Sequence, residues 1–409
     1  MLLLSLGPGK LPGQEPPQSA PAVPLTLQEA IAMAERNSPQ MHEAQSLTAR
    51  AEASVHSAKA YTNPNIEVYG GLQYARPVPT PGTPGILQHY AGYQPIEIPS
   101  ERSARLRAAR SVLEGSRLGE AAATLSVAGN VKRAFYSALM QRERIKHAQE
   151  NLHLVQDLRR RVEVEVDTGE KGRLELTRAE AELARAQFAV QSAQIEYANV
   201  IALLRAAIAA PAEMSLSPQG SPETRVALPE LKQVREQVLQ AHPLLAQSQA
   251  EADAARAIVK REEALRIPQP TAFAEFENQP DLRYWRTGIS IPIPLWDRRR
   301  GPIGEAKAEV TRQTAVTDRL RLELIANLER AYEQYQLADQ QVLSLESGSL
   351  HAAESAVEAA RNAYRFGERG IVEVLDAQRV LQSVRGDLLD AQYARQAALI
   401  DLEELGVKP

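Results

Sequence analysis

The chain carries the stretch YRFGERGIVEVLDA at residues 364–377, and a related stretch, VDTGEKGRLELTRA, occupies residues 166–179. In each stretch two glycines stand three residues apart, and apolar residues then recur every three or four positions. This pattern predicts one helix that ends, a tight glycine turn and a second helix that begins. Its occurrence twice, about 198 residues apart, indicates an internal duplication.

The duplication extends into the first half of each copy, where Asn37-Ser38-Pro39 matches Ala241-His242-Pro243 at an offset of about 204 residues. We expect the slip of about six residues to fall in a turn-rich stretch between the two blocks. Two copies of one unit predict a pseudo-symmetric object whose function lies at its shared axis or ends. This favours a pore or a scaffold over an enzyme.

Composition excludes several classes of protein. The chain has 409 residues, 24% charged and 5% aromatic, a net charge of -4 and no cysteine. The low aromatic content and many alanines, leucines and charged residues favour long helices. The charge gives no reason to expect nucleic acid as a partner. The lack of cysteine excludes disulfides, thiolate metal sites and a cysteine-linked lipid anchor.

Proline positions give the predicted boundaries, because proline breaks helix interiors. None occurs between Ser100 and Ala210 or between Ile303 and Lys408. Each copy is predicted to contain a first helix, a very long helix of ~100 Å at 1.5 Å per residue and a last helix. The predicted helices are 27–62, 101–166 and 173–209 in the first copy, and 230–266, 301–366 and 371–405 in the second.

The last helix of each copy shows a 3-4 spacing of apolar and small residues, typical of a coiled-coil seam that permits close packing. The seam positions are Leu176, Ala179, Leu183, Ala186, Val190 and Ala193 in the first copy, and Val374, Ala377, Leu381, Val384, Leu388 and Ala391 in the second.

Two proline- and glycine-bounded segments, 64–99 and 268–296, are predicted β-hairpins. Apolar and polar residues alternate in 66–74, 272–277 and 285–293, which is typical of strands with one apolar and one polar face. Two interpretations stay open from periodicity alone. The segments are either soluble hairpins packed on helices or the wall of a lipid-facing barrel that oligomerisation would complete.

The predicted organisation is therefore a disordered proline-rich leader (1–24), repeat 1 (25–210), a linker (211–228) and repeat 2 (229–406). No apolar run approaches the ~18 residues of a transmembrane helix. Met1 to Leu6 is apolar but too short for a signal peptide, so no such signal is visible. Either the protein is cytosolic, or its true N-terminus is missing or processed.

Several motifs together resemble the TolC-like outer-membrane efflux factors over essentially residues 25–405. LTLQEA at 25–30, followed by Asn37-Ser38-Pro39, resembles the family's opening helix. GISIPIPLWDR at 288–298 resembles the family's strand-to-helix passage. Tyr364 to Gly367, followed by IVEVLDA at 371–377, resembles the family's inner-end turn. The PLWDR passage is most similar to the heavy-metal branch that includes CusC and CzcC.

The resemblance implies a mainly α fold with a small β part, in which three protomers each give four strands to a 12-stranded outer-membrane barrel above a long α-helical tunnel. It implies a passive export duct in the outer membrane with a periplasmic extension. The implied partners are two further protomers of the same chain in a homotrimer, outer-membrane lipid, a periplasmic adaptor and an inner-membrane pump. Heavy-metal cations are the expected cargo.

The resemblance also places candidate site residues at the turns. Glu373 and Asp376 share one helix face and fall on the family's acidic entrance positions, as does Glu175. The alternative is a solvated first turn that favours the helix dipole. Tyr364 and Arg369 fall on the family's lock positions, with Glu175 as the expected acceptor for Arg369. The alternative there is an ordinary surface salt bridge.

No chemistry of bond-making is visible. The turn glycines, Gly169, Gly172, Gly367 and Gly370, are interpreted as helix caps and tight turns rather than an anion-binding loop. The seven histidines form no ligand-spaced pair, so no metal site, cofactor or enzyme activity is expected. The alternative function is a soluble periplasmic coiled-coil scaffold or adaptor.

Overall fold

A computed structural model describes residues 23–73, 85–221 and 225–407, and these residues are mostly helical. The elements in chain order are β1 (Val23–Leu25), α1 (Leu27–Asn37), α2 (Pro39–Lys59), β2 (Asn65–Gln73), β3 (Gly85–Pro95), α3 (Pro99–Asp167), α4 (Arg173–Ala207), β4 (Leu216–Pro218), α5 (Leu231–Ala241), α6 (Pro243–Ala264), β5 (Thr271–Asn278), β6 (Arg283–Ser290), α7 (Arg300–Ser344), α8 (Leu350–Arg365) and α9 (Ile371–Glu404).

The first helix of each copy is two helices, which corrects the single helices expected at 27–62 and 230–266. The break falls at Ser38 and His242, whose ψ angles of 128° and 123° are extended. Both residues precede a proline, and the proline ring disfavours the helical conformation of the residue before it. The matching prolines therefore impose the same corner on both copies.

The long helix differs between the copies. α3 runs without interruption for 69 residues, whereas α7 and α8 are joined by a π-helical turn at Leu345–Ser349. The span from Arg300 to Arg365 is also three residues shorter than α3. Part of the slip between the copies therefore falls inside the long helix, and not only in a turn-rich stretch as expected.

The seam positions of the last helices face neighbouring helices. Ala179, Ala186 and Val190 are buried in α4, and Val374, Leu381 and Ala391 are buried in α9. The remaining seam positions are half-buried. The 3-4 spacing therefore marks the packed face of α4 and α9, as the sequence predicted.

Two short strands from distant parts of the chain form a parallel pair. β1 and β4 are in register from Val23 opposite Leu216 to Leu25 opposite Pro218. β1 includes the last two residues of the expected leader, and β4 belongs to the expected linker. The rest of the leader, residues 1–22, and residues 222–224 of the linker lie outside the described residues.

The remaining strands form one antiparallel sheet in the order β2-β3-β5-β6. Each copy contributes a hairpin, and β3 pairs with β5 between the copies. β6 ends at Ser290, although the alternation continues through Ile291 and Ile293. Pro292 and Pro294 lack the N–H that a ladder needs, so the strand stops earlier than the expected residue 293. Tyr74, expected at the end of the first strand, lies outside the described residues.

The chain divides into two compact units. One contains α1, β1, α3 from Val127, α4, β4, α7 from Tyr335, α8 and α9 to Ile400. The other contains α2, the first part of α3, the four-stranded sheet, α5, α6, α7 to Gln334 and the last residues of α9 from Asp401. Within residues 23–73, 85–221 and 225–407, no helix combines the length and apolar character needed to span a bilayer.

Candidate functional site

The two glycine turns, residues 168–172 and 366–370, share one geometry, and we call them the paired turns. Gly169 and Gly367 have φ angles of +81° and +72°, where a side chain would be strained. In the first turn Gly169 N–H donates to Val166 O at 3.1 Å and Glu170 N–H to Glu165 O at 2.9 Å. This is a Schellman cap, and Gly367 and Glu368 repeat it on α8.

The second glycine of each turn has another role. Gly172 is the N-cap of α4 with a φ of −83°, and Gly370 immediately precedes α9. Neither has the left-handed backbone of the first glycine. In each turn, therefore, the first glycine caps the helix that ends and the second glycine lies at the start of the next helix.

Tyr364 lies at the end of α8 inside an apolar cluster with residues of α3, α4 and α9. Its side chain is 7% exposed and contacts the cluster that contains Leu158, Val162 and Ile371. The hydroxyl donates to Glu165 Oε2 at 2.6 Å. Glu165 belongs to the first copy and Tyr364 to the second, so this hydrogen bond joins the last turn of α3 to that of α8.

The environment of Tyr364 keeps its hydroxyl protonated. Burial, the hydrogen bond to Glu165 and the negative charges of Glu165 and Glu175 raise the pKa of Tyr364 well above its usual range. The ammonium of Lys171 lies 5.9 Å from the ring centroid. The hydroxyl therefore acts as a donor at all physiological pH values.

The structure does not bring Arg369 and Glu175 together. Arg369 is exposed and, among the ion pairs of the described residues, none joins it to Glu175. Glu175 is half-buried, and its Oε2 has no hydrogen-bond partner in that part of the chain. Within one chain the polar link at the paired turns is Tyr364 to Glu165, not the expected Arg369 to Glu175.

The predicted entrance acids lie on the first turns of α9. Glu373 and Asp376 are both exposed. Asp376 accepts a 3.0 Å hydrogen bond from Arg379, whose other guanidinium nitrogen donates to Glu182 of α4 at 2.9 Å. The hydrogen bond to Glu182 is the main reason that the pKa of Arg379 is raised. Asp376 therefore has a cationic neighbour, while Glu373 carries the more open negative charge.

One face of the four-stranded sheet is apolar and open. Tyr90, Phe276 and Trp285 are cross-strand neighbours in one row, with ring centroids 6.3 Å and 4.7 Å apart. Ile66 and Leu72 of β2 lie on the same face and are exposed. A sheet whose apolar face is uncovered within one unit needs lipid or another protein surface against it.

The opposite face of the sheet is polar and internally bonded. His89 stacks on Tyr69 with ring centroids 4.3 Å apart, and its Nδ1 lies 3.5 Å from Glu277. Tyr284 donates to Glu277 at 2.6 Å. In the next row Arg286 donates to Glu275, which also accepts from Tyr93 at 3.0 Å. This face suits water rather than lipid.

No group of three or more potential metal ligands occurs in the described ranges 23–73, 85–221 and 225–407. His89, a histidine of the sheet, stacks on Tyr69 and lies beside a single carboxylate, that of Glu277. Among the described residues, the paired turns and the sheet bring together no nucleophile and acid–base pair set out for a reaction.

Sequence reasoning missed Glu165, Glu182 and Arg379. Glu165 corresponds to Ala363 in the second copy, and Tyr364 to Val166. A polar residue in one copy opposite an apolar one in the other is a signal that could have paired Glu165 with Tyr364. Glu182 and Arg379 show the same signal, because Glu182 corresponds to Val380 in the second copy and Arg379 to Ala181 in the first.

Comparison with known proteins gives one family match that covers most of the chain. The sequence model described as outer membrane efflux protein matches residues 30–210 and 234–406, one segment in each copy.

Individual relatives share about a quarter of their residues with this chain. The cobalt-zinc-cadmium resistance protein CzcC of Cupriavidus metallidurans is 28% identical over 334 residues, which cover 77% of this chain and 78% of that protein. The nickel-cobalt-cadmium resistance protein NccC of Alcaligenes xylosoxydans is 26% identical and covers 82% of this chain and 74% of that protein. A solved structure of CusC superposes with a TM-score of 0.80 at 19% identity, covering 93% of this chain and 92% of that one.

Proposed function

The chain belongs to the outer membrane efflux protein family, and we propose that three copies form the passive export duct of a tripartite efflux system. The chain resides in the outer membrane, as its family does. The observation that carries the proposal is the sheet: four antiparallel strands with an exposed apolar face and a bonded polar face. Lipid would cover the exposed apolar face of this sheet, and together with the family match this favours the duct over a soluble scaffold.

Closure of the sheet requires further copies. β2 and β6 are the edges of the sheet in the described chain, and four strands are too few to close a barrel. Three copies would supply 12 strands, an even number, with β6 of one copy antiparallel to β2 of the next. Unpaired edges in a membrane are costly, because each unsatisfied backbone group costs several kcal/mol there. A trimer removes all of them.

The paired turns are proposed as the closing element. Tyr364 and Glu165 join the ends of α8 and α3 through a short hydrogen bond from a buried hydroxyl. An adaptor that binds the turns better when they are apart would shift the equilibrium toward an open duct. Arg369, Lys171 and Glu175 remain available for contacts with a neighbouring copy or with the adaptor.

Cation preference is proposed to come from Glu373 and Asp376. Threefold repetition would turn each exposed carboxylate into a ring, which favours cations at a pore mouth. The relatives CzcC and NccC are described as metal-resistance proteins, so divalent transition-metal cations are the proposed cargo. They would pass through as substrate, without a resident site.

Planar-bilayer recording of the protein extracted from outer membranes tests this function. We expect discrete channels that prefer cations, and a clear fall in that preference in the variant Glu373→Gln/Asp376→Asn. The matched control is Glu305→Gln/Asp318→Asn, which removes two exposed charges from α7. Membrane-inserted protein that does not conduct even with Tyr364→Phe, which removes the closing hydrogen bond, would contradict the duct. An equal effect of both charge variants would contradict the acidic ring.

A further inference from the structure

The segment that leads from β6 to α7, residues 291–299, is apolar and then basic. Ile293 is 73% exposed, and Trp296 is 92% exposed, the highest value among the exposed large apolar side chains of the described residues. Asp297 and three arginines, Arg298 to Arg300, follow directly. An open indole next to a row of cations is an unusual combination for a surface that faces only water.

This segment is held in a defined turn. The Asp297 carboxylate accepts a 2.7 Å hydrogen bond from the Arg299 backbone N–H. Arg299 has a φ of 56°, in the left-handed region. Its guanidinium is bonded to Glu262 of α6, whose side chain is only 11% exposed. The Arg299 side chain is therefore paired within the chain, and the turn fixes the backbone on either side of it.

The two flanking arginines, Arg298 and Arg300, differ from Arg299 in this respect. Arg298 and Arg300 are exposed, and neither takes part in an ion pair or side-chain hydrogen bond among residues 23–73, 85–221 and 225–407. Two unpaired guanidinium groups therefore stand close in sequence to Trp296, at the junction between sheet and helix.

The first copy carries a related pair at its own junction. Tyr61 is 69% exposed, and the guanidinium of Arg102 lies 4.4 Å from its ring centroid. Arg102 also donates to Lys59 O at 2.9 Å. An exposed aromatic side chain with an arginine thus recurs where each hairpin meets its helices. Among the described residues of these two junctions, the arginines without a partner are those of the second copy, Arg298 and Arg300.

From this geometry we infer that Trp296, Arg298 and Arg300 bind the headgroup of an anionic phospholipid at the membrane surface. The inference rests on the proposed membrane-embedded sheet. Indole rings prefer the interface between headgroups and acyl chains, and guanidinium groups form strong hydrogen bonds with phosphate oxygens. The segment directly continues β6, a strand of the proposed membrane sheet, so we take the membrane surface rather than a neighbouring protomer as the occupant. The site would anchor the sheet at a fixed depth.

Fluorescence quenching tests this directly, because the chain has only two tryptophans. The variant Trp285→Phe leaves Trp296 as the single reporter. Trimers are reconstituted with dibrominated phosphatidylglycerol or dibrominated phosphatidylcholine, with bromine near the headgroup. We expect quenching by both lipids and at least fivefold stronger association with the anionic one, since one arginine near an anionic surface favours it by roughly fivefold.

Two further variants separate charge from structure. In the Trp285→Phe background, Arg298→Gln/Arg300→Gln should abolish most of the preference for phosphatidylglycerol. The control Arg312→Gln/Arg319→Gln removes the same charge from α7, where both arginines pair with their own helix, and should leave the preference unchanged. Conductance of each preparation is recorded in parallel, so that failure of the channel is distinguished from failure of the lipid site.

Each remaining result has one meaning. Conducting trimers in which neither lipid quenches Trp296 would overturn the lipid site, and a blue-shifted unquenched emission would assign Trp296 to a contact between copies. Quenching without any anionic preference would overturn the role of the arginines. Protein that neither conducts nor inserts would overturn the proposed function and this inference together.

Discussion

Replacement of Tyr364 by phenylalanine removes one hydroxyl and keeps the ring that fills the apolar cluster of α3, α4, α8 and α9. The lost hydrogen bond to Glu165 is 2.6 Å long, and a bond to a charged group contributes about 1.5–3 kcal/mol. Because Glu165 is half-buried and regains water, the loss falls below that range, at about 1 kcal/mol for each chain, the typical net value of a hydrogen bond. Three chains would lose about 3 kcal/mol, or roughly a hundredfold in the closed-to-open ratio.

Single-channel recording measures this ratio as the open probability. We expect Tyr364→Phe to raise it strongly and Glu165→Gln, which keeps an acceptor oxygen, to raise it less. The double variant should open little more than Tyr364→Phe alone, because both changes act on one contact. The control is Glu163→Gln on the same helix, where Glu163 pairs with Arg159. An unchanged open probability in Tyr364→Phe, or equal opening in the control, would refute the lock.

Three further predictions concern the turns, a buried histidine and the entrance. Gly367→Ala should destabilise the protein by about 1 kcal/mol because of its φ of +72°, whereas Gly172→Ala should change the melting temperature little; equal effects would contradict the cap geometry. Burial lowers the pKa of His242, so protonation favours the unfolded chain and stability should fall as pH drops below about 6.5; His242→Ser should flatten this acid-side fall in melting temperature, and an identical pH profile would exclude it as the cause. Arg379→Gln should lower the melting temperature by freeing the mostly buried Glu182 side chain and should increase cation preference, and a loss of preference would contradict the assigned charges.

The fold was largely predictable where a local rule decides the backbone. The seam of α9, with Val374 and Leu381 buried, follows from a 3-4 spacing that only a helix aligns on one face. Gly367 marks the end of α8 because few other residues adopt its positive φ. The limits appeared where a second local rule competes. Alternation alone extends β6 to Ile293, but Pro292 and Pro294 end the ladder.

The candidate site was less predictable, because its contacts join distant parts of the chain. Tyr364 and Glu165 are 199 residues apart, and only the relative register of α3 and α8 brings them together. Arg369 was expected to find Glu175, yet the cation near the Tyr364 ring is Lys171 of the other turn. The absence of proline predicted continuous helix through the π-helical turn at Leu345–Ser349, although its Ser-Gly-Ser run has low helix propensity.

Electron cryo-microscopy of the protein in lipid nanodiscs tests the central claim most directly, because it counts copies and strands in a bilayer. The account predicts a threefold particle with 12 strands, in which β6 of one copy pairs antiparallel with β2 of the next. It also predicts that Trp285 and Ile66 face lipid while Glu275 and His89 face the lumen. A single copy, or a particle whose sheet is packed against protein outside the bilayer, would contradict it.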